Sequence, residues 1–150
     1  MRALIQRVKQ ASVNIDEECY AAIQQGLVVL LGVEKRDTDE HLEWLTNKIS
    51  GLRIFRDEQD KMNLSLKDIN GEVLIISQFT LHASTKKGYR PSFTNSAPPE
   101  QAKKLYEAFI DKMQKQLKKT VRTGVFGADM DVNLINQGPV TILIDSFNRE

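Results

Sequence analysis

Four consecutive residues at the end of an apolar stretch are best suited to chemistry in this chain. Ser77, Gln78, Phe79 and Thr80 follow residues 73–76, which are strongly apolar and typical of a buried strand. They offer two hydroxyl groups and an amide with two donors and an acceptor. Backbone N–H groups released where a strand ends can also stabilise an oxyanion. The segment predicts a catalytic or ligand-binding site, although the same residues would suit a strand end facing water.

Thr80 is a candidate nucleophile, which would need a general base within hydrogen-bond reach. His82 is the nearest candidate, and positions two apart on a strand share a face. A single histidine after a strand is more often a solvated or hydrogen-bonded surface residue. The pattern therefore leaves the role of His82 open.

The second segment of interest places a Gly-Pro pair directly before another apolar strand. Gly138 and Pro139 follow Asn136 and Gln137 and precede residues 140–144. The simplest interpretation is a β-turn with a trans bond, because glycine and proline are frequent turn residues. Glycine has no Cβ, so the pair could also present a backbone carbonyl close to a ligand.

Two further segments have both a structural and a functional interpretation. Lys86, Lys87 and Arg90 surround an aromatic residue in a polar stretch, which suits either a solvated loop or contact with RNA phosphates. Phe126 and Met130 flank small residues, an arrangement that could line a pocket, form part of the core or mark a bulge.

Composition narrows the class of protein. The chain has 150 residues, 41% hydrophobic and 27% charged, which fits one domain, 1–150, with its own core. A net charge of +1 provides no global field toward nucleic acid, so any RNA binding needs a local patch. The single cysteine excludes an intrachain disulfide and fits a reducing cytoplasm. No signal peptide, membrane-length apolar run, metal-ligand spacing or common nucleotide or hydrolase motif is present, so we expect no membrane, metal or cofactor.

The elements that must position these residues indicate an α+β fold. Helices are predicted over about 38–50, capped at residues 37–38, and from the Pro98-Pro99 pair to about residue 117. Both helices are amphipathic. The predicted strands are 2–9, 13–15, 27–33, 53–55, 62–64, 72–79, 122–126, 130–136 and 140–147. Because strands and helices do not alternate strictly, we expect a mixed, largely antiparallel sheet or barrel-like core.

Along essentially its whole length, the sequence resembles the D-aminoacyl-tRNA deacylases, also called D-tyrosyl-tRNA deacylases. The resemblance rests on blocks that occur in matched order, chiefly residues 4–8, 26–33, 53–55, 61–64, 77–81, 90–93, 123–126, 128–130 and 138–141.

The resemblance implies an editing hydrolase that needs no cofactor. It would cleave the ester of D-aminoacyl-tRNA, and of glycine mischarged on tRNA for alanine, and reject L-aminoacyl esters. Ser77, Gln78, Phe79 and Thr80 would hold the ester and terminal adenosine, and either Thr80 or the tRNA 2′-hydroxyl would drive hydrolysis.

The resemblance also implies a homodimer with active sites at its interface. A cis Gly138-Pro139 bond would reach into the partner's site and exclude L side chains, beside Phe126 and Met130. The charge of the loop, and not the resemblance, predicts that Lys86, Lys87 and Arg90 bind RNA. The alternative hypothesis is a non-catalytic tRNA- or RNA-binding module that uses the basic loop and the second helix. Such a module should need the lysines of these two segments and tolerate changes at Gly138.

Overall fold

A 14-residue strand, β1 (Arg2–Ile15), organises the sheet in a computed structural model that describes residues 1–149. Strands β2 (Glu18–Ile23) and β3 (Gly26–Gly32) pair antiparallel with successive parts of β1. Strand β8 (Asp131–Asp145) pairs antiparallel with nearly the whole of β1. Because β3 and β8 pair with the same residues of β1, they lie on its opposite edges.

The other half of the sheet is parallel. Strand β6 (Glu72–Ser77) pairs with β3, and β7 (Arg122–Thr123) pairs with β6. A separate hairpin joins β4 (Phe55–Arg56) to β5 (Met62–Leu64). The mixed sheet is nearly closed and carries two helices, so the predicted α+β, barrel-like fold is confirmed.

Several predicted strand boundaries are wrong, and the differences have physical causes. Residues 2–9 and 13–15 belong to one strand, because β1 absorbs register shifts without ending. Residues 131–145 form one strand, β8, in place of the two predicted strands 130–136 and 140–147. Residues 137–140 form a bulge that has no partner on β1, and not a turn that ends the strand. Only two residues of 122–126 pair with β6. The short strand β2, whose residues are mostly exposed, was missed.

The predicted strand 72–79 is also too long. β6 ends at Ser77, and a 3₁₀ turn, Phe79–His82, follows it. The amide of Gln78 still donates to the carbonyl of Leu31, at 2.8 Å, which holds the start of the turn against β3. The chain therefore changes direction at the segment predicted to carry the chemistry.

The two helices confirm the predicted amphipathic segments. Helix α1 spans Asp39–Gly51, and its N-cap Thr38 donates its backbone N–H to His41 Nδ1 at 3.1 Å. Helix α2 spans Pro99–Leu117, with proline in its first turn as predicted. The two helices pack against each other and cover one face of the sheet.

The core has two parts because both faces of β3 and β6 are covered. The larger part lies under the helices and contains Phe55, Phe109 and Met113 among its fully buried side chains. The smaller part lies on the opposite face, around Val28 and Leu74. Burying these apolar side chains is the main stabilising contribution to the fold.

Polar contacts tie distant parts of the chain together. The hydroxyl of Tyr106 on α2 donates to the carbonyl of Ile75 on β6, at 2.9 Å. The Met1 ammonium is buried, pairs with buried Asp37 and donates to Ser146 Oγ at 2.6 Å. These bonds fix α2 behind the end of β6 and join the first residue to the segment after β8. Among residues 1–149, no helix is long and apolar enough to cross a membrane.

Candidate active site

A cavity of about 540 Å³ lies where the end of β6 faces the segment that leads into β8. Five of the predicted site residues line it: Ser77, Gln78, Phe79, Phe126 and Met130. Helix α2 contributes Pro99 and Ala102 to its wall. A cavity of this size is within the range of small-molecule sites, and its lining is mostly apolar with a few polar groups.

Hydrogen bonds and ring packing fix the turn at the mouth of this cavity. Gln78 Nε2 donates to Thr80 Oγ1 at 2.6 Å, and Ser96 Oγ donates to the carbonyl of Phe79 at 3.1 Å. The Phe79 ring meets Phe93 edge-on, with centroids 5.1 Å apart. The first N–H groups of such a turn have no acceptor within it, so they are available to an oxyanion.

Thr80 is exposed on the same turn but does not line the cavity. Its hydroxyl accepts from Gln78, and no hydrogen bond links it to His82 in the part of the chain that the structure describes. The expectation that Thr80 and His82 share a strand face is wrong, because both lie in the 3₁₀ turn. The geometry provides no base for Thr80.

His82 is buried, which contradicts its interpretation as a solvated surface residue. Its side chain lies beside Gly32, and its Nδ1 is 3.6 Å from Glu34 Oε2. Its Nε2 has no hydrogen-bond partner among residues 1–149. Burial lowers the pKa of His82, and the positive charges of Arg2 and the N-terminus act in the same direction; Gly32 and Glu34 oppose the shift.

Gly138 and Pro139 do not line this cavity in their own chain. They lie within β8, are exposed, and are joined by a cis peptide bond. Buried Arg7 supports them from β1: its Nε donates to the carbonyl of Gln137 at 2.9 Å, and its Nη1 donates to that of Ile54. Burial lowers the pKa of Arg7, with Arg56 adding to the effect and Asp60 opposing it.

The predicted basic residues lie on an exposed loop between the 3₁₀ turn and Phe93. Lys86, Lys87 and Arg90 are exposed, and Ser84 and Ser92 close the loop with two backbone hydrogen bonds of 2.8 and 2.9 Å. The loop leads directly into Phe93, which packs on Phe79. The cationic side chains therefore lie on a segment connected to the polar turn.

Sequence reasoning missed three polar residues of this region. Ser96 and Asp129 line the cavity, and Glu34 faces His82. Asp129 lies in a segment predicted as a possible pocket wall, so that pattern contained the signal. Ser96 and Glu34 are distant in sequence from the 3₁₀ turn and come close to it only in the folded chain, so no local sequence pattern identifies them. Within residues 1–149, no group of three or more His, Cys, Asp or Glu side chains could hold a metal ion.

Comparisons with known protein sequences all match the same family. The profile of the D-Tyr-tRNA(Tyr) deacylase family matches residues 4–145. A D-aminoacyl-tRNA deacylase from Cytophaga hutchinsonii is 59% identical over 150 residues, all of both chains. A second, from Flavobacterium johnsoniae, is 55% identical over the same span.

Solved structures give the same fold. One titled c-Myc DNA Unwinding Element Binding Protein has a TM-score of 0.93 and 41% identity, and the match covers 97% of this chain and 98% of that one. A probable eukaryotic D-amino acid tRNA deacylase has a TM-score of 0.82, with coverage of 95% and 97%. At 19% identity, the second comparison shows the fold alone.

Proposed function

The chain belongs to the D-aminoacyl-tRNA deacylase family and is therefore a hydrolase, and we propose that its substrate ester is bound in the cavity at the end of β6. Water would add to the ester carbonyl and the bond to the ribose oxygen would break, which releases a free D-amino acid and tRNA. The cytoplasm is the proposed compartment, which the single cysteine fits.

The observation that carries this proposal is the composition of the cavity wall. Ser77 and Gln78 provide polar groups on one side, and Phe126 and Met130 provide apolar surface on the other. The start of the 3₁₀ turn offers backbone N–H groups to the charge that develops on the carbonyl oxygen. This combination suits a small aminoacyl ester attached to a nucleoside.

We propose that the tRNA 2′-hydroxyl, rather than Thr80, assists the attack. Thr80 lies outside the cavity lining, and its hydroxyl contacts an amide rather than a base. A threonine without a base is a weak nucleophile.

We therefore expect Thr80→Ala to retain substantial activity on a natural D-aminoacyl-tRNA. Neither this variant nor the unsubstituted protein should hydrolyse a D-aminoacyl-tRNA that ends in 2′-deoxyadenosine, because that substrate lacks the 2′-hydroxyl. A trapped acyl-enzyme at Thr80, or complete inactivity of a folded variant that binds tRNA, would contradict this assignment.

Chirality would be read by Gly138 and Pro139 of a second copy. These residues are exposed and lie outside the cavity of their own chain, so an active site that includes them would need the partner's pair. Backbone carbonyls held close to the substrate's α-carbon would clash with an L side chain. We propose a homodimer whose two active sites lie at the interface.

Glycine follows as a second acyl group from the same filter. A wall that excludes an L side chain cannot reject an amino acid that has no side chain. We therefore propose that glycine mischarged on tRNA for alanine is also hydrolysed.

The decisive experiment compares D-Tyr-tRNA, L-Tyr-tRNA and Gly-tRNA for alanine, each incubated with pure protein in the presence of a chelator. We expect loss of the D-tyrosyl and glycyl esters and survival of the L-tyrosyl ester. Gly51→Ala is the matched control for Gly138→Ala in this assay, because an added Cβ at Gly51 meets nothing within 4 Å. Equal loss of the D- and L-tyrosyl esters would contradict the proposed chirality filter. Survival of all three esters would contradict the proposed hydrolytic activity.

The alternative is a non-catalytic nucleic-acid-binding module. The basic loop supports it, and one structural neighbour is titled as a DNA-element-binding protein. Such a module should bind tRNA equally well whether or not it is aminoacylated, and it should tolerate Gly138→Ala. The hydrolysis assay and a binding assay on the same variants separate the two functions.

A further inference from the structure

Tyr89 has the most exposed large hydrophobic side chain among residues 1–149. It is fully exposed, whereas Met62 and Leu143, the next in order, are each 60% exposed. Within the same residues, its side chain takes part in no hydrogen bond, ion pair or ring contact. Both faces of its ring are therefore open to solvent.

Unpaired positive charges surround this ring. Lys86, Lys87 and Arg90 are exposed, and their side chains form no ion pair in the part of the chain that the structure describes. No acidic residue occurs in the sequence between Glu72 and Glu100. A single exposed apolar side chain is common on proteins and indicates no ligand by itself. An exposed aromatic ring among cations that nothing neutralises, however, suits a single-stranded nucleic acid.

The basic loop, residues 84–92, carries this tyrosine and is closed at its base. Ser84 and Ser92 exchange backbone hydrogen bonds of 2.8 and 2.9 Å. Gly88 has φ +65°, a conformation that side chains rarely adopt, and it turns the chain immediately before the ring. Pro91 fixes its own φ and favours extended backbone at the residue before it. The loop therefore presents the ring outward from a fixed base.

The basic loop continues directly into the wall of the proposed substrate cavity. Phe93 follows the loop and packs edge-on against Phe79, which lines the cavity. Tyr89 precedes Phe93 by four positions in the sequence, and a chain of that length spans at most about 14 Å. Stacked nucleotides rise about 3.4 Å each, so this span corresponds to about four nucleotides. An RNA strand whose last nucleotide lies in the cavity can therefore reach the ring.

We propose that Tyr89 stacks on an unpaired base near the 3′ end of tRNA, while the cations of the basic loop neutralise the adjoining phosphates. The proposal rests on the proposed function, because it needs the nucleotide that carries the ester in the cavity. Bases inside the paired acceptor stem have both faces covered by their neighbours, so the contact requires the unpaired end. Every base has a face on which a ring can stack, so the contact would serve tRNAs of any identity.

The test uses two RNA hairpins that are not aminoacylated and share one stem, one with an unpaired 3′ CCA tail and one with a blunt end. We expect the unsubstituted protein to bind the tailed hairpin more tightly. Tyr89→Ala should lower the affinity for the tailed hairpin about tenfold, which is within the range measured for one base stacked on an aromatic side chain. It should leave the affinity for the blunt hairpin unchanged. Tyr89→Phe, which keeps the ring, should bind both hairpins as the unsubstituted protein does.

The salt dependence of binding separates stacking from charge. Tyr89→Ala removes no cation, so the slope of log affinity against log salt for the tailed hairpin should stay the same, whereas Lys87→Glu should reduce it. Tyr20→Ala is the matched control, because Tyr20 is also an exposed tyrosine but lies on β2 and does not line the cavity. It should leave the affinity for both hairpins unchanged.

Equal affinity of the unsubstituted protein for the two hairpins, or no binding to either at low salt, would overturn the proposal. An equal loss on both hairpins in Tyr89→Ala would do the same, as would a Tyr89→Phe variant that binds as weakly as Tyr89→Ala. The hairpins carry no ester, so these results do not depend on hydrolysis. Hydrolysis of D-Tyr-tRNA without binding that depends on Tyr89 would contradict this proposal alone. Binding that depends on Tyr89, in a protein that leaves every ester intact, would contradict the proposed function.

Discussion

Gly138 occupies a backbone conformation that side chains rarely adopt. Its φ is +133°, and an added Cβ would lie 2.9 Å from Arg7 Nη2 and 3.2 Å from the amide of Val140. Arg7 cannot move freely, because it is buried and donates to two carbonyls. We expect Gly138→Ala to lower the free energy of unfolding by about 1–3 kcal/mol, the usual cost of such a conformation.

The same change tests the chirality filter. We expect Gly138→Ala to reduce D-ester hydrolysis about tenfold or more under conditions where the variant remains folded. Urea denaturation and a deacylation assay measure the two effects separately. Stability and activity that both match the unsubstituted protein would mean that this position is neither constrained nor near the substrate.

His82 makes the stability of the fold depend on pH. Burial lowers its folded pKa below the value near 6.5 of the unfolded chain. The unfolded state then binds more protons, so the contribution of His82 is present above about pH 6.5 and is lost as the pH falls toward the folded pKa. We expect the urea midpoint to fall between pH 7 and pH 5, and His82→Gln to flatten that slope.

The other histidine of the chain is a matched control. His41 is partly exposed and accepts from the N-cap of α1. His41→Gln should leave the slope of stability against pH close to that of the unsubstituted protein. Parallel profiles for His82→Gln and the unsubstituted protein would show that buried His82 does not cause the loss.

At the scale of elements, the basic loop is the candidate RNA-binding segment. Lys86→Glu combined with Lys87→Glu should weaken tRNA binding and reduce the slope of log affinity against log salt, by about 0.7–0.9 for each phosphate that is no longer neutralised. Filter binding at several salt concentrations measures the slope. Lys103→Glu with Lys104→Glu makes the same change in net charge on α2. Equal effects of the two pairs would indicate a general charge effect and not direct binding by the loop.

Sequence patterns identified the elements whose hydrophobic periodicity is strong. They failed for features that depend on contacts between residues distant in sequence. The apolar stripe of α2 and the continuous apolar run of β3 predicted both elements correctly, because each pattern has the period of its structure. The Gly138-Pro139 pair suggested a turn, yet the two residues lie in an unpaired bulge within β8, between Asn136 and Thr141, which both pair with β1. The burial of His82 depends on β3 and on Glu34, which are distant in sequence, so no local pattern predicted it.

The cavity also contains residues that sequence patterns predicted and residues that they did not. Its β6 side, Ser77–Phe79, was predicted from the abrupt change at the end of an apolar strand. Phe126 and Met130 were predicted from the resemblance and from small residues between them. Ser96 reaches the Phe79 carbonyl only because the loop after the basic residues returns to the turn. Long-range contacts of this kind are set by packing and have no periodic signal.

At the scale of the whole molecule, β8 is an open edge. It is 15 residues long, and among the described residues it pairs only with β1. Its exposed apolar residues include Ile135 and Leu143. Long exposed edges with apolar side chains favour association, so we expect a dimer by light scattering at micromolar concentration.

Leu143→Arg should shift this equilibrium toward the monomer and reduce deacylation with it. Met62→Arg is a matched control, because Met62 and Leu143 are each 60% exposed and Met62 lies in the separate β4–β5 hairpin. A monomeric protein that retains full activity would contradict an active site shared between two copies.

Cys19 gives this chain a built-in reporter position. It is the single cysteine in the sequence, and it is exposed on β2 close to the β1–β2 connection. A thiol-reactive spin label would therefore attach at one defined position in each copy without any other residue being replaced. In an assembly of two copies, the distance between the two labels, measured by pulsed electron paramagnetic resonance, would report how the two sheets are arranged and whether tRNA changes that arrangement.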